Sequence, residues 1–257
     1  MEVFFLGVGE ACDPDCGNTA ILVRAGAGPE RRQLLLDCGF TAAHAYFRSF
    51  AAQELDGLWI SHFHGDHFFG VPLLLLRLWE EGRTRPLVIL GPPGGEQRIR
   101  AAMELAYPSL ALGGGFAFPV EYNEVGDGAM FTAAGFAWQA AGSDHSDAAP
   151  GLAVRLQGFG RSLFYSGDGR PTAETQRLAS GCDLVIHEAF RFRGDTPGHG
   201  SVAGSLEFAR RARAARLALV HIQRQDRQRY SRELAKMAAE INDLELLLPE
   251  PGQKIIL

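Results

Sequence analysis

Ser61-His62-Phe63-His64-Gly65-Asp66-His67 places three imidazoles and a carboxylate within six residues. Nitrogen and oxygen donors at this density suit a divalent metal, zinc first and iron or manganese next. Grouping so many ionisable side chains without a cation is costly, which sets the metal reading above that of a polar, His-rich turn. Three further residues of the same chemistry, His145, Asp168 and His221, each follow or close an apolar, strand-like run. Strand ends are where sites in open α/β folds gather. For each of these three the competing reading is an ordinary surface side chain.

The runs that must position these residues are short and apolar. Val3 to Val8, Thr19 to Arg24 and Gln33 to Asp37 read as strands separated by Gly, Pro and Asp clusters, and their short connections suit antiparallel pairing. Ala42 to Leu55 has helical spacing, with Thr41 as a candidate N-cap. Gly57 to Ile60 is a buried strand leading straight into the His-rich run. A helix is expected from about Gly70 to Glu81, with Pro72 in its first turn and Gly82 as its stop.

Beyond it, Leu87–Leu90, Val120–Asn123, Phe136–Ala141, Leu152–Leu156, Ser162–Ser166, Leu184–Ile186 and Leu217–His221 read as strands. Helices are expected at Glu96–Ala106, Thr172–Leu178, Ser201–Ala212 and Ser231–Ile241, and the Gly-rich stretch from Ala111 to Phe118 reads as loop. Strands followed by mixed strands and helices, twice over, fit two mixed β-sheets packed face to face with helices on both outer faces. No repeat and no long linker divides residues 1–257, so one domain is expected.

Composition excludes some functions. The chain has 257 residues and a net charge of −5, which argues against non-specific nucleic-acid binding through the whole surface. The N-terminal residues carry no secretory pattern, and no apolar run is long enough to span a membrane. Cys12 and Cys16 would supply only half of a closed zinc site, so the four cysteines read as reduced thiols of a cytoplasmic protein.

From Leu6 to about His221 the chain resembles the metallo-β-lactamase superfamily, and within it the ribonuclease Z-like phosphodiesterases. The resemblance is carried by the His62–His67 motif, Gly17-Asn18-Thr19, Leu35-Leu36-Asp37-Cys38-Gly39, Phe68-Phe69-Gly70-Val71-Pro72, Gly91-Pro92-Pro93-Gly94, Tyr165–Arg170, Asp183–Ala189 and Gly198-His199-Gly200-Ser201. It implies a four-layer αββα metallo-β-lactamase fold and a site for two divalent ions, zinc in the first instance. His62, His64 and His145 would hold one ion and Asp66, His67 and His221 the other, with Asp168 bridging them. The implied reaction is phosphodiester hydrolysis by a hydroxide shared between the metals, with Asp66 orienting it. His199, polarised by Glu188, would protonate the leaving group. Asp37 is a candidate outer partner for a ligating histidine. His187 reads as buried structure, and His44 as an ordinary helical side chain.

The chain also departs from that branch. The segment after His221, from Ile222 to Arg227, lacks the usual Ser- and Arg/Tyr-containing pattern. The stretch from Gly91 to His145 is short and holds few basic residues, with Gly113-Gly114-Gly115 as the only remnant of a substrate-clamping arm. RNA is therefore a possible substrate alongside a small or cyclic nucleotide phosphodiester. Lactone, thioester or β-lactam hydrolysis on the same site, and metal binding with little catalysis, are the alternatives. The resemblance also allows a homodimer. The arginines at 210, 211, 213 and 216 read as a solvated helix surface, whereas Arg191 and Arg193 read equally as surface or as phosphate contacts.

Overall fold

The computed structural model describes residues 1–112, 115–194 and 196–257. The first half contributes β1 (Glu2–Gly7), β2 (Ala20–Ala25), β3 (Arg32–Leu36), β4 (Gly57–Trp59), β5 (Leu87–Gly91) and β6 (Val120–Glu124). The second contributes β7 (Met130–Ala133), β8 (Phe136–Ser143), β9 (Gly151–Gly158), β10 (Arg161–Tyr165), β11 (Leu184–Glu188), β12 (Arg216–Val220) and β13 (Glu245–Leu247). β14 (Lys254–Ile256) then returns to the first sheet. The two seven-stranded sheets run β14-β1-β2-β3-β4-β5-β6 and β13-β12-β11-β10-β9-β8-β7. Each is antiparallel on one side and parallel on the other: β3 to β6 and β10 to β13 are parallel neighbours. The expected doubling of strand and helix patterns is thus a doubling of topology.

Alternation within the strands decides which side chains enter the seam between the sheets. Leu34 and Leu36 of β3 face inward, as do Leu163 and Tyr165 of β10, while Leu35 and Phe164 point outward beneath helices. Trp59 and Trp138 stack across the seam at 5.6 Å. The helices are α1 (Ala42–Phe47), α2 (Gly65–Phe68), α3 (Val71–Glu80), α4 (Gly95–Ala106), α5 (Pro108–Leu112), α6 (Ala173–Leu178), α7 (Val202–Arg211), α8 (Arg224–Arg229) and α9 (Ser231–Glu240). Side chains of α1, α3 and α4 cover the outer face of the first sheet, and those of α6, α7 and α9 cover the second. In α3, Val71, Leu74, Leu75 and Leu78 make the buried stripe, and Gly82, at φ 66°, ends the helix. This is the expected four-layer αββα arrangement of two packed mixed sheets.

Several local expectations change. The helix expected from Ala42 to Leu55 stops at Phe47. The amides of Ser49 and Phe50 both turn back to the Tyr46 carbonyl, and the Phe50 ring packs on Phe4 at 5.0 Å. The buried Arg83 guanidinium takes the carbonyls of Ala52 and Leu55, so the segment needs no helix to satisfy them. Thr41 occupies the N-cap position without capping, because its hydroxyl accepts the Asn18 amide instead. The stretch expected to be loop from Ala111 begins inside α5; Gly113 and Gly114, part of the candidate arm remnant, lie outside the described residues. Among the described residues no helix is long and apolar enough to cross a membrane.

Candidate metal centre

The His/Asp residues meet at one edge of the sandwich, at the C-terminal ends of strands from both sheets. Asp37 follows β3, and Ser61 and His62 follow β4. His145 lies two residues beyond β8, Asp168 follows β10, Glu188 ends β11, and His221 follows β12. The short α2 carries Asp66 and His67 on consecutive positions and faces both into the site. Two glycines allow the close approach this requires. A Cβ on Gly39 would lie 1.8 Å from the Asp66 carbonyl oxygen, and one on Gly198, at φ 72°, would lie 2.0 Å from the His145 carbonyl oxygen.

Two donor groups result. In the first, His64 Nδ1 lies 3.0 Å from His62 Nε2 and 3.0 Å from His145 Nε2. In the second, Asp66 Oδ2 lies 3.4 Å from His67 Nε2 and 3.2 Å from His221 Nε2. Asp168 faces both groups. Its Oδ1 is 3.3 Å from His67 Nε2, and its Oδ2 is 3.4 Å from His221 Nε2, 3.9 Å from His62 Nε2 and 4.0 Å from His145 Nε2. His67 Nε2 and Asp168 Oδ1 are buried and make no hydrogen bond among the described residues. Orphaned polar atoms pointing at one another are costly in a protein interior, and a cation between them would satisfy both. The donor set therefore fits a pair of divalent ions.

Outer hydrogen bonds set the imidazole tautomers. Ser61 Oγ donates to Asp37 Oδ2 at 2.7 Å and lies 3.0 Å from His62 Nδ1, so it accepts from that nitrogen and leaves His62 Nε2 free. His67 Nδ1 donates to Asp37 Oδ2 at 2.7 Å, and Tyr165 Oη donates to the same oxygen at 2.6 Å. His145 Nδ1 donates to the Gly198 carbonyl at 2.7 Å. Each bond turns the other ring nitrogen toward the site. The charges are arranged to match. Burial opposes ionisation of Asp168, but the imidazoles of His221, His67 and His62 overcome it and hold the carboxyl well below the usual range. Burial likewise opposes ionisation of Asp66, and His221 and His67 again hold it low. Burial, then the neighbouring His67, pushes His62 well below an ordinary histidine. His67 behaves oppositely: burial is overcome by Asp168 and Asp37, which draw its pKa up.

The Glu188–His199 pair lies beside both groups. Glu188 is fully buried, and its Oε1 lies 3.3 Å from His199 Nδ1. Its two oxygens accept the amides of Gly169 at 3.1 Å, Gly200 at 2.7 Å and Phe190 at 2.9 Å. The His199 ring is 4.8 Å from that of His145 and lies nearly parallel to that of His221. His187 bonds the Glu188 carbonyl and packs against Phe208, outside the donor groups. His44 is exposed on α1.

Every expected site residue is thus brought to one place. Sequence reasoning assigns no role to Ser61 or Tyr165. The available signal was the burial of a tyrosine hydroxyl, which demands a partner. Arg191 is partly exposed: its guanidinium faces Asp226 at 3.8 Å and lies over Phe190, and its Nε donates to Thr196 Oγ1 at 3.3 Å. Arg193 stacks on Phe192 and Tyr230, while Arg210, Arg211 and Arg216 are in surface ion pairs with Asp243, Glu207 and Glu245. Cys12 and Cys16 are free thiols outside the His/Asp groups.

The profile of the Beta-lactamase superfamily domain matches residues 32–222. The chain is 27% identical to ribonuclease Z of Natronomonas pharaonis over 313 aligned residues, covering 99% of this chain and 97% of that one. It is 30% identical to ribonuclease Z of Mycobacterium sp. strain KMS over 247, covering 86% and 84%. The crystal structure of the short form of human tRNase Z superimposes with a TM-score of 0.76 at 26% identity, covering 100% of this chain and 99% of that one. The chain belongs to the beta-lactamase superfamily and, within it, to the ribonuclease Z-like branch. Membership of that branch makes it a metal-dependent hydrolase.

Proposed function

We propose that the chain is a dinuclear phosphodiesterase whose substrate is a small or terminal phosphodiester, either a cyclic nucleotide or an RNA end. The observation that supports this reading best is the position of His199. It forms one potential donor group with His145 and Asp168 and another with Glu188 and His221, so a proton donor stands beside both metal sites. His62, His64 and His145 would hold the first ion, Asp66, His67 and His221 the second, and Asp168 both. The nitrogen-rich first set favours zinc, and the carboxylate-bearing second set accepts zinc, manganese or iron. The ions, when bound, supply the Lewis acidity that makes water a nucleophile near neutral pH and offsets charge on the phosphoryl oxygens.

The chain's own residues manage protons and orientation. Asp66 accepts a hydrogen bond from the attacking water and aims it at phosphorus. The P–O ester bond breaks as the new P–O bond forms, the departing alkoxide takes a proton from His199 Nε2, and the proton lost by the attacking water passes to solvent, from which His199 is reprotonated. Glu188, facing His199 Nδ1, stabilises the ring while it carries that proton. The net charge of −5 and the absence of a basic arm among the described residues favour a small ester or a chain end over a folded RNA gripped along its length. The free cysteines fit a reducing compartment, which supports a cytoplasmic reading. We read residues 1–257 as one domain.

The test is a substrate panel run on metal-analysed protein: bis(p-nitrophenyl) phosphate, a 2′,3′-cyclic nucleotide, a short RNA with a 3′ extension, a thioester and a lactone. The expected result is two metal equivalents per chain, with kcat/KM for the best phosphodiester at least roughly tenfold above the thioester and lactone. Faster lactone or thioester turnover, or no turnover by protein carrying both metals, overturns the reading.

A further inference from the structure

Three consecutive features at the end of β11 converge on one imidazole. Glu188 approaches the Nδ1 edge of His199 at 3.3 Å. Two residues later the Phe190 ring lies against the face of the same imidazole, with centroids 4.5 Å apart and planes 24° from parallel. Arg191 then lays its guanidinium on Phe190, 5.4 Å from the ring centroid, and bonds Thr196 Oγ1. The Thr196 carbonyl in turn accepts the His199 amide at 3.1 Å. The layers therefore run guanidinium, phenyl, imidazole, with the loop that carries the imidazole pinned by the outermost layer.

Phe190 is itself held from both sides. Its amide donates to Glu188 Oε2 at 2.9 Å, and its carbonyl accepts the Gln223 amide at 2.9 Å, two residues beyond His221. Yet among the described residues Phe190 belongs to none of the three apolar cores, and the rings it meets there are those of His199 and, at 6.0 Å, His221. A half-buried phenyl ring whose ring neighbours are site imidazoles contributes little to the apolar cores. What it can do is fix a plane. The Glu188 contact alone leaves His199 free to swing about the Nδ1 edge, and a ring against its face removes that freedom.

We propose that Phe190 is a positioning residue for His199: it fixes the imidazole plane so that Nε2 meets the leaving oxygen, with Arg191 backing the stack. This rests on the reading of His199 as the proton donor. Proton delivery to an alkoxide is steeply sensitive to such alignment, whereas a p-nitrophenolate departs with little help from an acid.

The experiment uses the metal-loaded enzyme and two diesters sharing one phosphoryl group: uridine 5′-(p-nitrophenyl phosphate) and a dinucleotide with a ribose leaving group. The variants are Phe190→Leu, Phe190→Tyr and His199→Ala. Phe190→Leu keeps an apolar side chain of most of the volume and loses the ring. It should slow the dinucleotide by roughly tenfold and the aryl ester by less than about threefold, at unchanged metal content. Phe190→Tyr should restore the wild-type ratio. Equal slowing of both esters by Phe190→Leu, loss of metal from that variant, or failure of tyrosine to rescue the ratio overturns the positioning role. His199→Ala separates this failure from a deeper one. A loss of roughly 100-fold confined to the dinucleotide supports the proton donor, whereas equal losses on both esters sink that reading and the Phe190 role with it.

Discussion

One oxygen of Asp37 receives three donors, the Ser61 hydroxyl, the His67 imidazole and the Tyr165 hydroxyl, and the residue holds a left-handed backbone conformation at φ 61°. His221 does the same at φ 55°. Left-handed backbone outside glycine costs on the order of 1–2 kcal/mol and persists where surrounding contacts impose it. At Asp37 and His221 the contacts that hold that conformation are those of the site itself. The expected ligands depend on one another in the same way. His64→Ala or Asp168→Ala should each lose metal and phosphodiester hydrolysis together, with hydrolysis falling by roughly 100-fold or more. Elemental analysis and initial rates on one preparation check this, and a variant that keeps both metals would remove its residue from the ligand set. At this scale the sequence was most readable where chemistry was dense. The His62–His67 run announces itself because so many donors in one turn have few other uses. Ser61, Tyr165 and Phe190 act through partners that only the fold brings beside them, such as Asp37 and His199, and no local spacing signals them.

Among elements, those with a clean apolar period were legible and those shaped by a distant partner were not. The buried stripe of α3 and the alternation in β3 and β10 follow directly from residue order. β7 and α8 escaped because one is a four-residue edge strand and the other, Arg-Gln-Asp-Arg-Gln-Arg, has no apolar face. The shortening of α1 depends on Arg83, some thirty residues further on. Its guanidinium donates to the carbonyls of Ala52, Leu55, Arg85 and Pro86 from a fully buried position. Arg83→Met retains most of the side-chain volume but abandons those carbonyls. It should destabilise the fold by about 3 kcal/mol, a fall in Tm of roughly 6–12 °C. Thermal unfolding of the metal-loaded variant measures this; a shift below about 2 °C would mean the carbonyls find other donors.

Across the whole molecule the donor residues join the two sheets. His62, His64, Asp66 and His67 come from the first half of the chain and His145, Asp168 and His221 from the second, so a bound ion links the sheets at their shared edge. Binding to the folded state alone stabilises it by mass action, by about 2.7 kcal/mol per site at a hundredfold excess over Kd. Stripping the protein with a chelator should therefore lower its Tm by several degrees, and adding zinc should restore it. An unchanged melting curve after elemental analysis shows the metal gone would contradict the proposed linkage. Acid should weaken loading, because protons compete for the same imidazole nitrogens and carboxylates.

The division of the donors between the two halves has a practical consequence. The Gly126-Asp127-Gly128 turn separates every donor of the first half from every donor of the second. A polypeptide cut there would give two fragments, each carrying an incomplete coordination set. Recovered hydrolysis would then report that the pieces had found each other, so the same turn that joins the sheets offers a place to build a split reporter.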